Sequence, residues 1–233
     1  MHGGSWIGAI VPLLFVALFV GALCLAWYVN KKRREAAQAF ARARGWTYTA
    51  KVPSLTQRWQ SAPFQRGHSR RASNVLTGTF QDMPVVSFTY QYTTGSGKNQ
   101  STSYFHVVAL SLPARLPWLR LSADGAGASV AKFFGGQDIR FESKAFNDAW
   151  RVQGQDERYA YDFVHPRMME RLMARDALGR TITVEGSDIF MVVGGRQVLE
   201  AIDVYVNTLY GVYQQIPRHL WLNVGYDPLV GKE

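Results

Sequence analysis

The chain has 233 residues, 47% of them hydrophobic and 18% charged, with a single cysteine. One cysteine excludes an intrachain disulfide framework and a cysteine-rich zinc site. The formal charge of +9 is uneven: residues 31–81 hold eleven Lys or Arg and one acid, whereas residues 82–233 hold 15 basic and 16 acidic side chains.

The first element is an uncharged, almost wholly apolar run from Ile7 to Val29, followed at once by Lys31, Lys32, Arg33 and Arg34. As a helix it spans about 34 Å, enough to cross a hydrocarbon core of about 30 Å. Trp6 at one end and Trp27 with Tyr28 at the other suit the two interfaces. The residues before Trp6 include no Lys or Arg, so the charge rule puts the N-terminus outside and the C-terminal body in the cytoplasm. A cleaved signal needs a basic start and a shorter apolar core, and this chain has neither. Cys24 lies inside the run behind Leu23, where a lipidation site wants a small residue. It reads as a small apolar side chain in lipid.

Lys31 to Arg44 is rich in Ala, Arg and Lys and precedes Gly45, so it predicts a helical stalk ending at a glycine. The organisation expected is an anchor over residues 1–30, a basic stalk over 31–45, one cytoplasmic domain over 46–228 and a tail over 229–233. Lys31, Lys32, Arg33 and Arg34 are the expected membrane-surface contacts, since an anionic leaflet attracts basic side chains near it. Arg58, Arg66, Arg70 and Arg71 are candidate lipid or partner contacts. The basic stretch lacks zinc-finger spacing and an RNA-recognition signature, so no nucleic acid partner is expected.

The first half of the domain reads as a β-meander. Asn74–Gln81 is strand-like, Asp82 to Pro84 a turn, and Val85–Thr93 alternates with Val86, Phe88, Tyr90 and Tyr92 on one face. Thr94–Gln100 is a hairpin loop and Ser103–Leu112 the returning strand. Pro113 and Pro117 then break the pattern before Trp118–Leu121 resumes it. In the second half, Gly125–Ala128 reads as a loop, Gly135-Gly136 and Gly194-Gly195 as turns, Ile139–Glu142 as a short strand and Ala145–Ala149 as a helical turn. Asp156–Phe163 reads as a helix, and Pro166 opens another with Met168, Met169, Leu172 and Met173 on one face. Thr181–Glu185 and Ile189–Val193 predict a hairpin across Gly186, Ser187 and Asp188. A last helix carries a stripe at Val198, Ile202, Tyr205, Leu209, Val212 and Ile216, ending at Pro217. The fold class is α+β: an N-terminal transmembrane helix, an antiparallel β-rich domain with inserted helices, and a C-terminal amphipathic helix. A pleckstrin-homology-like, partly closed barrel is the alternative.

Several segments form a pattern: Phe141-Glu142-Ser143, Phe146-Asn147, Val152, Asp156 and Pro166-Arg167-Met168-Met169-Glu170, with Phe88-Thr89-Tyr90-Gln91-Tyr92 and Leu112-Pro113 upstream. This resembles uncharacterised bacterial single-pass membrane-anchored proteins that carry a domain of unknown function, over about residues 45–215. The resemblance implies a single-pass anchor and one folded domain, and it supplies no catalytic residues. Physically, Asp156 suits a helix cap and Arg167 with Glu170 an intrahelical pair. The sharper reading gathers Glu142, Asp156 and Arg167 into a polar ligand site.

His2, His68, His106, His165 and His219 are scattered without metal spacing, and neither a nucleophile elbow, a phosphate loop nor a dinucleotide fingerprint occurs. Asn99-Gln100-Ser101 matches a glycosylation sequon in a loop expected to be cytoplasmic. No cofactor or metal is expected. The leading function is a membrane-tethered, non-enzymatic interaction or scaffold module. Its partners would be the bilayer, anionic lipid head groups and other membrane proteins. The alternatives are an anionic-lipid or membrane-surface binding domain, or an enzyme of unrecognised type, since sites assembled from distant residues leave no local motif.

Overall fold

The computed structural model describes residues 5–123 and 137–230. The expected loop Gly125–Ala128, the turn Gly135-Gly136 and residues 231–233 of the tail lie outside them. Helix α1 runs from Ser5 to Arg44 as one 40-residue element. By length and composition it is able to cross a membrane, with a mean hydropathy of 2.2 over its most apolar 18-residue stretch. From Leu13 to Ala36 its side chains are exposed, whereas Ala37 and Ala41, four residues apart, are buried in the domain core. Their small side chains let the helix backbone lie close to the sheet. The helix ends as a Schellman motif: Gly45 takes φ +67°, Trp46 N donates to Ala41 O at 2.8 Å and Gly45 N to Arg42 O at 3.4 Å.

Seven antiparallel strands follow: β1 (Thr47–Lys51), β2 (His68–Phe80), β3 (Met83–Thr94), β4 (Ser101–Ala123), β5 (Gln137–Ile139), β6 (Trp150–Gly154) and β7 (Ile182–Gly194). The order is β1-β2-β3-β4-β6-β5, with β7 also paired to β4. β7 follows both halves of β4, and β3 and β6 share the other edge in turn. No pairing among the described residues joins β1 to β5 or β7. Between β5 and β7 lie α2 (Lys144–Ala149), α3 (Glu157–Phe163) and α4 (Pro166–Leu172), and α5 (Ile202–Gln214) and α6 (Arg218–Leu222) follow β7. The class is α+β.

Several elements differ from expectation. Residues 182–194 form one strand and not a hairpin. Gly186 takes φ +62°, and its turn-like Gly-Ser-Asp sequence supplies a bulge opposite irregular register at Ser111 to Leu119 of β4. β4 likewise continues for 23 residues through Pro113 and Pro117, because both prolines fall within that irregular stretch. The first tight turn is Gln81–Asp82, both at positive φ, and Met83 and Pro84 already belong to β3. β2 starts at His68, six residues before the expected boundary, and β5 ends at Ile139, so residues 140–142 are not strand. Val198 is exposed and precedes α5 as the cap of a 3-10 turn.

The sheet buries both faces. One face packs Val85, Val108, Leu110, Ile189 and Met191 against α1, the inserted helices and α5. The other carries Val86, Phe88, Tyr90, Tyr92, Val107, Ala109 and Phe190. It is covered by the strap between β1 and β2, which inserts Leu55, Trp59 and Phe64. Trp59 lies 4.6 Å from the Phe190 ring and Phe64 4.8 Å from Tyr90. Fully burying each such side chain contributes about 1.5–3 kcal/mol.

Candidate functional site

The basic residues at the end of the apolar run stand in two relations to the domain. Lys31 Nζ lies 5.4 Å over the Trp27 ring and Lys32 Nζ 5.1 Å over Tyr28, so both lean back along the helix toward its aromatic collar. Lys31 also approaches Glu35 at 3.9 Å. Arg34 is exposed and near enough to Tyr48 to act on its phenol, whose pKa burial nevertheless raises. Arg33 turns toward the domain and lines a notch of about 270 Å³ with Asn74, Thr89, Arg196, Gln197 and Glu200.

Thr89, Gln197 and Val198 of that notch belong to a buried polar network. His106 Nε2 lies 3.0 Å from Ser87 Oγ, and Gln197 Nε2 donates to the same hydroxyl at 2.8 Å. Gln197 N donates to Thr89 Oγ1 at 3.0 Å, and Val198 N donates to His106 Nδ1 at 3.4 Å. Burial pushes the His106 pKa down to about 4, so the ring is neutral at pH 7, as an acceptor at Nδ1 requires. The network ties the β7–α5 connection to β3 and β4.

The second basic group is divided by the strap. Arg58 is not a free surface cation: its Nε and Nη2 donate to Asp188 at 2.8 and 2.7 Å. Asp188 also accepts from Trp59 Nε1 at 3.0 Å and Ser111 Oγ at 3.1 Å. Next to it, Glu185 accepts from Gln60 N, Ser61 N and Ser61 Oγ at 2.6, 3.1 and 2.6 Å. These two carboxylates on β7 fasten the strap. Arg70 is held by Gly67 O and Gln65 Oε1 at 3.3 Å each. Arg66 is exposed on the strap, and Arg71 is exposed near the start of β2.

An apolar groove of about 830 Å³ lies between α2, α3 and α4. Phe141, Phe146, Val164, Met169 and Met173 line it, with Glu142, His165 and Glu170 adding polar atoms. Ser143 caps α2 by accepting from Phe146 N, and Asn147 holds the backbone of Phe141 through two hydrogen bonds, 2.9 and 2.6 Å, so the α2 wall is locally fixed. His165 Nε2 donates to Gln215 O at 2.8 Å, tying the α4 wall to the end of α5. Pro166 at the first helical position sets the start of α4.

Of the three residues expected to form a polar site, Glu142 lines this groove, and Arg167 lines a neighbouring one with Asp162 and His219. Asp156 caps α3, accepting from Tyr159 N at 3.1 Å. No one of these pockets gathers all three. Among the described residues no group of three His, Cys, Asp or Glu side chains is placed to hold a metal ion. Sequence reasoning missed Asp188, Glu185, His106, Arg196 and Gln197. The available signal was His106 and Asp188 standing within strongly apolar stretches.

No protein-family model matches the chain, and no curated protein matches it in sequence. Among solved structures, it is similar to the mycobacterial trehalose monomycolate transport factor A, TtfA. The TM-score is 0.57 at 14% identity, over 79% of this chain and 96% of that one. At that identity the likeness is one of fold.

Proposed function

We propose that this chain is a membrane-tethered, non-enzymatic docking module whose domain stands on the cytoplasmic face of the bilayer. The observation that carries the reading is α1: one unbroken helix passes from an exposed apolar run into the core through Ala37 and Ala41. The basic cluster on its C-terminal flank alone supports the cytoplasmic orientation. The apolar groove is the docking site. Its Phe and Met lining suits the apolar face of an amphipathic helix, and Glu142 with Glu170 suits Lys or Arg beside that face. The occupant is a helical segment of another membrane protein. The fold similarity to a transport factor is in keeping with a membrane-associated, non-enzymatic module.

The test is a photocrosslinking residue at Met173, 36% exposed at the groove, in the full chain in its native membrane. One dominant membrane-protein adduct is expected, lost when Met169→Asp is added. A scatter of adducts that mirrors the abundance of membrane proteins refutes the reading.

A further inference from the structure

The notch beside α1 faces the membrane surface. Arg33 lies four residues beyond Val29, about 6 Å along the helix. The polar layer on each side of a bilayer is roughly 5–8 Å deep, so Arg33 falls at head-group level when the apolar run spans the hydrocarbon. The path of α1 over the sheet gives the same direction. Trp46 packs on Gly78, and Ala37, nine residues earlier, lines the same notch as Asn74. Thr47, just past the helix, pairs with Thr77, whereas Ala37 shares the notch with Asn74, so α1 departs along β2 toward its start. The end of β7, and with it Arg196, is at this same end of the sheet, since Gly194 pairs with Phe105.

We propose that Arg33 and Arg196 form a binding site for the phosphate of an anionic phospholipid head group. Neither guanidinium has a carboxylate partner in hydrogen-bonding or ion-pairing distance among the described residues, although both line one cavity. The 270 Å³ of space is about nine times the share of one water molecule. Glu200 is the only acid lining the notch, so the three charged side chains sum to +1. The site is built on fixed parts. Arg196 lies 3.7 Å over the Tyr104 ring, and the next residue, Gln197, is held by Thr89 and Ser87. Arginine forks match phosphate oxygens bidentately, and a head group at this depth need not leave the leaflet to be gripped. The grip would fix the rotation of the domain on the membrane, which a single helix does not.

The inference rests on the tethered reading for the height of Arg33, but its test is separate from crosslinking at the groove, and either can fail alone. The full chain is purified in neutral detergent and titrated with phosphatidylglycerol, phosphatidylcholine or inorganic phosphate, with bound species read by native mass spectrometry. One phosphatidylglycerol is expected to be retained at least about fivefold over phosphatidylcholine, and Arg33→Gln and Arg196→Gln are each expected to lower that retention at least about fivefold. Arg196→Lys should fall between, which separates charge from fork geometry. Arg71→Gln, outside the notch, should match the unaltered chain, and each variant's melting temperature reports folding. Unchanged retention in folded Arg196→Gln, or an equal loss in Arg71→Gln, overturns the site. Displacement of the lipid by an equal concentration of inorganic phosphate overturns the lipid as its occupant.

Discussion

Replacing Asp188 by Ala tests whether the strap between β1 and β2 is held by the carboxylates of β7. The wild-type carboxylate accepts four hydrogen bonds, two from Arg58, one from Trp59 and one from Ser111. Their loss is unequal. The Trp59 ring is 1% exposed, so its N–H is left without water or partner, at a cost of about 1–3 kcal/mol. The Arg58 side chain is 35% exposed and rehydrates, so its share is at most about 1 kcal/mol. Asp188→Ala should therefore lower stability by roughly 1–4 kcal/mol. Asp188→Asn, which keeps an acceptor for Trp59, should cost about half as much. The assay is urea unfolding of the full chain in detergent, followed by tryptophan fluorescence. Trypsin cleavage after Arg58 and Arg66 under native conditions is the second readout, because a loosened strap exposes both. A loss below about 0.5 kcal/mol with unchanged cleavage refutes the fastening role.

Three further outcomes follow from buried groups. The fold lowers the His106 pKa from 6.5 to about 4, so the neutral ring's contribution is complete above pH 6.5 and disappears as pH falls toward 4. That amounts to about 3 kcal/mol, and melting curves of His106→Gln should lack this slope between pH 7 and 4. Parallel slopes would remove His106 as the cause. Asp176 does not confuse the window: hydrogen bonding from Arg171 holds its pKa at about 2, so its own contribution fades only below pH 3.8. In Gly78→Ala the new methyl would stand 2.2 Å from Trp46 Cδ1, forcing the indole off β2 at about 1–3 kcal/mol, and an unshifted tryptophan spectrum would contradict that contact. Arg120 is 9% exposed, and its Nε and Nη1 have no partner among the described residues. Arg120→Met should therefore raise stability by about 1–3 kcal/mol; a lower melting temperature would show that the guanidinium is paired in solution.

Elements with a strong local period are legible in the sequence. The apolar run of α1, the alternation of Val86, Phe88, Tyr90 and Tyr92, and the stripe from Ile202 to Ile216 each bury the residues their spacing selects, the exposed anchor apart. Turn chemistry misleads where it has two uses. Gly186 at positive φ serves a bulge as well as a hairpin, and only the register against β4 decides between them. The basic residues misled for a different reason. Arg33, Arg58, Arg70 and Arg71 look alike in sequence, but Arg58 is paired with Asp188, 130 positions away, whereas Arg70 is held by Gly67 and Gln65 close by. Arg196 lies outside the basic stretch altogether, so no window of composition joins it to Arg33. Asp156 shows the opposite case, since a cap needs only the three residues that follow it.

The placement of the groove follows from the direction of α5. Its entry, Leu199 and Glu200, lies beside Arg33, and Tyr210 lies 5.5 Å from Phe80, the last residue of β2. Because α1 departs toward the start of β2, α5 runs away from the span, and its end at Gln215 meets His165 of the groove. Thirteen residues of α5 cover about 20 Å. The notch and the groove therefore lie toward opposite ends of one helix. A flexible linker after the span would let every face of the domain meet the bilayer in turn. Here the helix continues through Ala37 and Ala41 and is latched by Arg44 to Asp203 near the start of α5. On the tethered reading, the same fixed helix pair would hold one end at the lipid surface and leave the groove open to a partner. A Gly-Ser insertion between Lys32 and Arg33 separates these consequences: it should leave the groove crosslink possible in detergent yet weaken it in membranes, where distance and orientation matter. Equal crosslinking in both settings would show that the helix acts as a tether alone.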